Sequence, residues 1–217
     1  MATIADNLQA VKARIGARSG VTLLAVSKGH GVERIREAVA AGQRAFGENY
    51  VQDALVKIEA LPELEWHLIG PLQSNKTRLA AERFDWVQTV DREKIARRLS
   101  DQRPVHRPPL NVLVQVNVSG EASKSGASLE EVPELVKAVA ALPRLRLRGL
   151  MAIPAPGAHM DFQRMKTLYD RLRGTFAMDT LSMGMSDDLE AAIAAGSTMV
   201  RVGTAIFGER RKERSAA

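Results

Sequence analysis

A lysine that directly ends an apolar run is the first chemically loaded residue in the chain. Thr22 to Val26 (TLLAV) reads as a buried strand that delivers Ser27, Lys28, Gly29 and His30 at its C-terminal end. An ammonium there is costly unless its amine has a task or a path to water. The ordinary alternative is a lysine that snorkels out along its own methylene stem. The second loaded stretch is Leu181 to Gly208, LSMGMSDDLEAAIAAGSTMVRVGTAIFG. Thr180 to Met183 is a short strand candidate. Ser186 is placed to cap a helix, with Asp187 and Asp188 in its first turn. Leu189, Ala192 and Ile193 give that helix an apolar stripe, and Gly196 stops it. Met199, Val200 and Val202 form the next strand, and Gly203-Thr204-Ala205 is the turn after it. Two consecutive strand ends therefore offer small residues, hydroxyls and free backbone N–H groups, which is what a phosphate needs. An ordinary strand–helix–strand unit with its caps reads the same way.

These residues need a scaffold, and the rest of the chain supplies a regular one. A leading helix over residues 2–17 precedes the first strand. Helices are expected over Val32 to Ala41, Val51 to Ala60, Asn75 to Arg83, from an Asp91 cap to about Ser100, Leu129 to Leu142, and Asp161 to Phe176. Strands are expected at Arg44 to Phe46, Glu65 to Ile69, Asp85 to Val90, Leu110 to Val118 and Leu147 to Ile153. Gln102 to Pro109 is a proline-rich loop too short for a domain linker, and Gly120 to Gly126 is a polar loop of small residues. Strand and amphipathic helix alternate about eight times, which argues for an α/β fold with parallel strands. Eight units close most economically as a single (β/α)8 TIM barrel with an extra N-terminal helix, one domain over residues 1–217. The chain is short for that fold, where about 250 residues is typical. An open doubly wound sheet is the alternative; its GxGxxG turn is missing, since the first strand ends in SKGH.

In a barrel the site is built from the C-terminal strand ends, and the loops after strands 7 and 8 frequently bind phosphate. Those ends supply Lys28, Asn49, His67, Asn117, Met151, Ser182, Arg201, Gly203 and Thr204. A lysine at one strand end beside a phosphate cup is the layout for pyridoxal 5′-phosphate (PLP) held as a Schiff base. A phosphate-binding barrel in which Lys28 meets a sugar-phosphate carbonyl fits the same residues. His67, between Trp66 and Leu68, reads as a hydrogen-bonded core histidine. The four histidines show no metal-ligand spacing, so no metal site is expected.

Composition narrows the function classes. The 217 residues are 45% hydrophobic and 26% charged, as in a soluble globular protein. The absence of cysteine excludes a disulfide framework and thiolate metal sites. No apolar run approaches the roughly 20 residues of a membrane helix, and the N-terminus does not read as a signal peptide. A cytoplasmic location follows as the default. The net charge of +6 favours anionic ligands. The dense basic run, Glu209 to Arg214, has no aromatic neighbours and reads as a solvated tail, so no nucleic acid is expected.

The segments LLAVSK, FGENYVQ, WHLIGPLQSNK, VQVNVSGEASKSG, RGLMAIP and LSMGMSDDLEAAIAAGSTMVRVGTAIFG, in that order, span nearly the whole chain. As an ordered set they resemble the PLP homeostasis protein family, the alanine-racemase N-terminal-domain-like barrels. The resemblance implies PLP bound as an imine on Lys28. It implies a phosphate held by Ser186, Gly203 and Thr204, Arg201 at the pyridine nitrogen, and Asn49 and Ser182 lining the site. The sequence departs from the pattern at Gly29-His30, where a more polar or Thr/Pro-containing turn is expected. The implied role is vitamin B6 homeostasis: a monomer holding PLP for storage, delivery or regulation, with apo-enzymes or amino acids as recipients and no catalytic residues. The alternative is a PLP-dependent amino-acid enzyme such as a racemase. A racemase also needs a second domain and a tyrosine opposite the lysine, and only Tyr50 and Tyr169 are available here.

Overall fold

Strand formation follows the β-branched and aliphatic runs. β1 (Thr22–Val26), β2 (Ala45–Glu48), β3 (Glu65–Leu68), β4 (Trp86–Val90), β5 (Leu110–Val116), β6 (Leu145–Ala152), β7 (Thr180–Ser182) and β8 (Met199–Val202) pair in sequence order into a closed parallel barrel. Closure is the pairing of β1 with β8, Ala25 opposite Val202. This is the (β/α)8 architecture expected from the alternation. The architecture comes from a computed structural model that describes residues 2–16, 20–121, 124–155 and 157–209. The basic tail beyond Glu209 lies outside the described residues. Among them, no helix is long and apolar enough to cross a membrane.

Between the strands run α2 (Val32–Ala40), α3 (Val51–Ala60), α4 (Thr77–Arg83), α5 (Glu93–Gln102), α6 (Val132–Ala140), α7 (His159–Phe176) and α8 (Leu189–Ala194). The leading helix α1 (Ile4–Ile15) starts at a capping box between Thr3 and Asp6 and buries Ile4, Leu8, Val11 and Ile15. A short helix α9 (Thr204–Phe207) follows β8 directly, where the sequence suggested only a turn.

Several helix starts differ from expectation: α1 begins at Ile4, α4 at Thr77 and α7 at His159, and three others differ in how they are capped. The Ser186 cap is not made: residues 186–188 form a turn, α8 begins at Leu189, and Asp188 is its N-cap residue. The Asp188 carboxylate accepts instead from the Met185 N–H at 2.6 Å, which holds the turn shut. Asp91 does not cap α5 either, because it pairs with Arg92 at 2.8 Å. Residues 129–131 form a turn before α6, stitched by reciprocal Ser128–Glu131 hydrogen bonds.

Strand alternation divides the apolar residues between two layers. One set packs outward under the helices. The other fills the barrel: Leu24, Val26, Ala45, Ile69 and Met199 form one internal cluster, and Trp86, Leu113 and Met151 another. Lys28 is the next position in the inward series Leu24, Val26. Arg201 is the next after Met199. β6 carries an extra residue, Arg148, at a register shift against β5. Its guanidinium lies 4.6 Å from the Trp86 ring centroid and pairs with Asp179. Beside it, a Cβ on Gly149 would sit 1.7 Å from the Thr180 carbonyl oxygen, so β6 and β7 approach closely only because that residue is glycine.

Candidate functional site

The C-terminal strand ends of β8, β1 and β2 lie side by side. They deliver Gly203, then Ser27 and Lys28, then Asn49. Lys28 sits partly buried in the turn after β1. Asn49 is partly buried after β2, and Tyr50 beside it is 64% exposed. The loop after β7 contributes Ser186.

Arg201 and Ser182 point into the barrel and meet. The guanidinium donates through Nη1 to Ser182 Oγ at 2.7 Å and through Nη2 to the Ala152 carbonyl at 2.9 Å. Arg201 is only 4% exposed. Both acceptors are neutral, and no ion pair involves it among the described residues. Burial lowers its pKa to about 10, opposed by the Asp188 charge. At neutral pH it therefore stays a cation, buried without a paired anion. Such a group is expensive unless an acceptor completes its shell.

Ser182 passes the contact inward. Its hydroxyl donates to Gln88 Oε1 at 2.8 Å, Gln88 Nε2 lies 2.9 Å from His67 Nδ1, and His67 Nε2 lies 2.8 Å from Glu65 Oε1. His67 is thus not at a strand end. It occupies the barrel interior, stacked on Trp86, as a hydrogen-bonded core histidine. Burial pushes its pKa down and keeps it neutral, opposed by Glu65.

A second buried polar group supports the Lys28 turn from behind. Lys57 on α3 donates to Glu48 Oε1 at 2.7 Å and to the Ser27 carbonyl at 2.9 Å, while Ser27 Oγ donates to the same carboxylate oxygen at 2.5 Å. Burial raises the Glu48 pKa, and Lys57 opposes that. The residue that anchors this ion pair falls on the apolar stripe of α3 among Val51, Ala54 and Ile58, a lysine where a core residue belongs. That was the sequence signal for it. Gln88 carried a similar one, as an amide inside a wholly buried strand.

β8 leads into backbone N–H groups of the kind an anion can use. The N–H groups of Thr204 and Ala205 open α9 and have no intrahelical acceptor, since the helix's own bonds begin at Ile206 N–H to the Gly203 carbonyl, 2.9 Å. A Cβ on Gly203 would lie 3.2 Å from the Val26 carbonyl oxygen. Glycine therefore keeps the approach between β8 and β1 open. Ser186 is held by its backbone, whose carbonyl accepts from Arg14 at 2.8 Å while Arg14 also pairs with Glu190. On the other flank, Asn7 donates to the Ile206 carbonyl at 2.9 Å. Helix α1 thereby ties down both loops. Among the described residues, no hydrogen bond joins Asn49 to Arg201 or Ser186. The set can hold an anionic ligand that also presents an acceptor to Arg201 and an electrophile to Lys28.

Residues 1–211 match the family model described as alanine racemase, N-terminal domain. The chain is 56% identical to the pyridoxal phosphate homeostasis protein of Escherichia coli K12, covering 97% of this chain and 95% of the relative. It is 54% identical to the protein of that name from Vibrio cholerae, with both chains fully covered at 100%. Among solved structures, PipY of Synechococcus elongatus with PLP bound superposes with a TM-score of 0.85 at 37% identity, covering 95% of this chain and 100% of that one. Alanine racemase of Corynebacterium glutamicum shares the fold, with a TM-score of 0.78 at 20% identity over 62% of its length.

Proposed function

Because this chain belongs to the alanine racemase N-terminal-domain family, we propose that it is a monomeric, cytoplasmic holder and donor of pyridoxal 5′-phosphate that serves vitamin B6 homeostasis. The observation that carries this reading is a buried cation, Arg201, on the strand paired with the one that leads into Lys28, which among the described residues meets only neutral acceptors.

The residues fit the cofactor. When bound, it supplies an aldehyde that condenses with a primary amine, a phosphate dianion and an aromatic ring nitrogen. Lys28 supplies the amine. The N–H groups of Gly203 and Thr204, with Ser186, take the phosphate, and Asn49 and Ser182 line the site. Arg201 faces the ring nitrogen. A guanidinium only donates, and with a pKa of about 10 it keeps its proton at neutral pH, so the nitrogen opposite it must accept and remain unprotonated. A carboxylate at that place would hold a proton on the ring and make it a stronger electron sink. Arg201 therefore leaves the ring a weak electron sink, which turnover offsets only with a second acid or base opposite Lys28.

The tyrosines support holding over turnover. Tyr50 is 64% exposed, and Tyr169 is buried with its hydroxyl donated to the Met178 carbonyl at 3.2 Å. Tyr169 is thereby engaged on α7, away from Lys28. The test is a long incubation of loaded protein with L-alanine and other amino acids, assayed for D-isomer and keto acid, beside an assay of cofactor passage to an apo-enzyme. Transfer with turnover at background is expected. Turnover of about 1 s⁻¹, ordinary for enzymes, lost in Lys28→Ala, would replace the holding role with catalysis.

A further inference from the structure

The polar side chains inside the barrel form a hydrogen-bonded line whose direction is determined. Arginine only donates, so Ser182 Oγ is an acceptor toward Arg201 and its own proton must go elsewhere. It goes to Gln88 Oε1, 2.8 Å away. The Gln88 amide then presents Nε2 to His67 Nδ1 at 2.9 Å and to the Met199 thioether at 3.1 Å, and both are acceptors. Turning the amide over would aim its oxygen at the sulfur and put a second donor on Ser182. The bond to His67 lowers the Glu65 pKa, so its carboxylate only accepts; the neutral ring must then carry its proton on Nε2, 2.8 Å away, and leave Nδ1 to accept from Gln88. Every link donates the same way, from the Arg201 cation to the Glu65 anion.

We propose that Gln88 and His67 are positioning residues for the cofactor's ring nitrogen, because the one-way line Arg201–Ser182–Gln88–His67–Glu65 holds the Ser182 proton away from Arg201 and so fixes the face that Arg201 presents to its ligand. The inference rests on the PLP-holding reading above. The two ends of the line come from different strands, β8 and β3, and Gln88 on β4 bridges them across the barrel core. Without Gln88 the Ser182 proton has no fixed acceptor and competes for the space that Arg201 needs. The charged groups acting on His67 are Glu65 on its own strand, Asp85 before β4 and Arg148 on β6. Arg148 is held by Asp179, and the net surroundings leave the ring neutral.

The experiment uses the full chain and two probes: PLP, and its analogue in which a C–H replaces the ring nitrogen. Gln88→Leu should weaken PLP about tenfold, the worth of one hydrogen bond at a charged group, and leave the analogue within about twofold. Ser182→Ala should give the same split if Gln88→Leu does not fold. Equal losses for both probes, or no loss for PLP, would overturn the proposal. Independently, ¹⁵N NMR of the wild-type protein without cofactor should show His67 as the Nε2–H tautomer, and the Nδ1–H tautomer would overturn it without any variant. Failure of the wild type to bind PLP would instead sink the holding reading, with the tautomer measurement still deciding the direction of the line.

Discussion

Replacing Lys57 by methionine should destabilise the barrel in a way that grows with pH. The substitution keeps the stem of the side chain and removes the ammonium. It takes a partner from Glu48, 1% exposed, and a donor from the Ser27 carbonyl. Leaving one half of a buried ion pair costs about 3–5 kcal/mol when the remaining charge persists. Glu48 can avoid part of that cost by binding a proton. Burial already raises its pKa above the ordinary 4.5 while Lys57 opposes the rise, so removing Lys57 raises it further. A folded-state pKa above the unfolded value stabilises fully below the unfolded value, and that stability is lost as pH climbs through the folded value. The variant's deficit should therefore be smallest near pH 4.5, where mainly the lost donor to the Ser27 carbonyl counts. It should grow by up to about 1.4 kcal/mol per pH unit, and level off once Glu48 ionises in the folded protein. Urea denaturation of both proteins at pH 5 and pH 8 measures this. Lys57→Met with Glu48→Gln should recover most of the loss and flatten its pH dependence, since the amide still accepts from Ser27. A deficit that is equal at the two pH values, or below about 1 kcal/mol at pH 8, would refute the reasoning.

Gly203→Val should push into the Val26 carbonyl, 3.2 Å from where a Cβ would sit. It should weaken PLP by about tenfold or more while sparing pyridoxal, which lacks the phosphate; parallel titrations decide, and equal losses would place the anion site elsewhere. Gly149→Ala would drive a Cβ to 1.7 Å from the Thr180 carbonyl at a φ of +155°. The β6–β7 contact must then open, and thermal or urea unfolding should record a loss of about 3 kcal/mol or more. Arg14→Ala removes a half-exposed pair with Glu190 and a bond to the Ser186 carbonyl. Its cost should stay within about 1 kcal/mol and shrink as salt is added, as unfolding at low and high ionic strength will show.

What could be read from the chain was whatever depends on local pattern. Each barrel strand was visible as a short apolar run ending in small or polar residues, and eight of them in alternation with helices allow few closures. Lys28, Asn49, Gly203 and Thr204 could be placed because a barrel puts every strand's C-terminal end on one face. Helix starts were harder. Ser186 has the right side chain for a cap, but Asp188 competes for the same turn by binding the Met185 N–H, and the helix begins after it. The interior line was hidden for a different reason. Ser182 and Gln88 are 94 positions apart, and only barrel closure brings them to 2.8 Å. Lys57 and Glu48 are near in sequence, yet their pairing depends on how α3 rotates onto β2. The stripe that buries Val51, Ala54 and Ile58 sets that rotation and carries Lys57 inward with it.

Whether Lys28 carries the cofactor is decided by reduction followed by peptide mapping. The protein is loaded with PLP, its visible absorbance is recorded, the linkage is fixed with borohydride, and the digest is searched for the pyridoxyl mass. A yellow protein is expected, with the group on the peptide that contains Ser27-Lys28-Gly29. A colourless protein, or a group found mainly on Lys76 or Lys124, would contradict it.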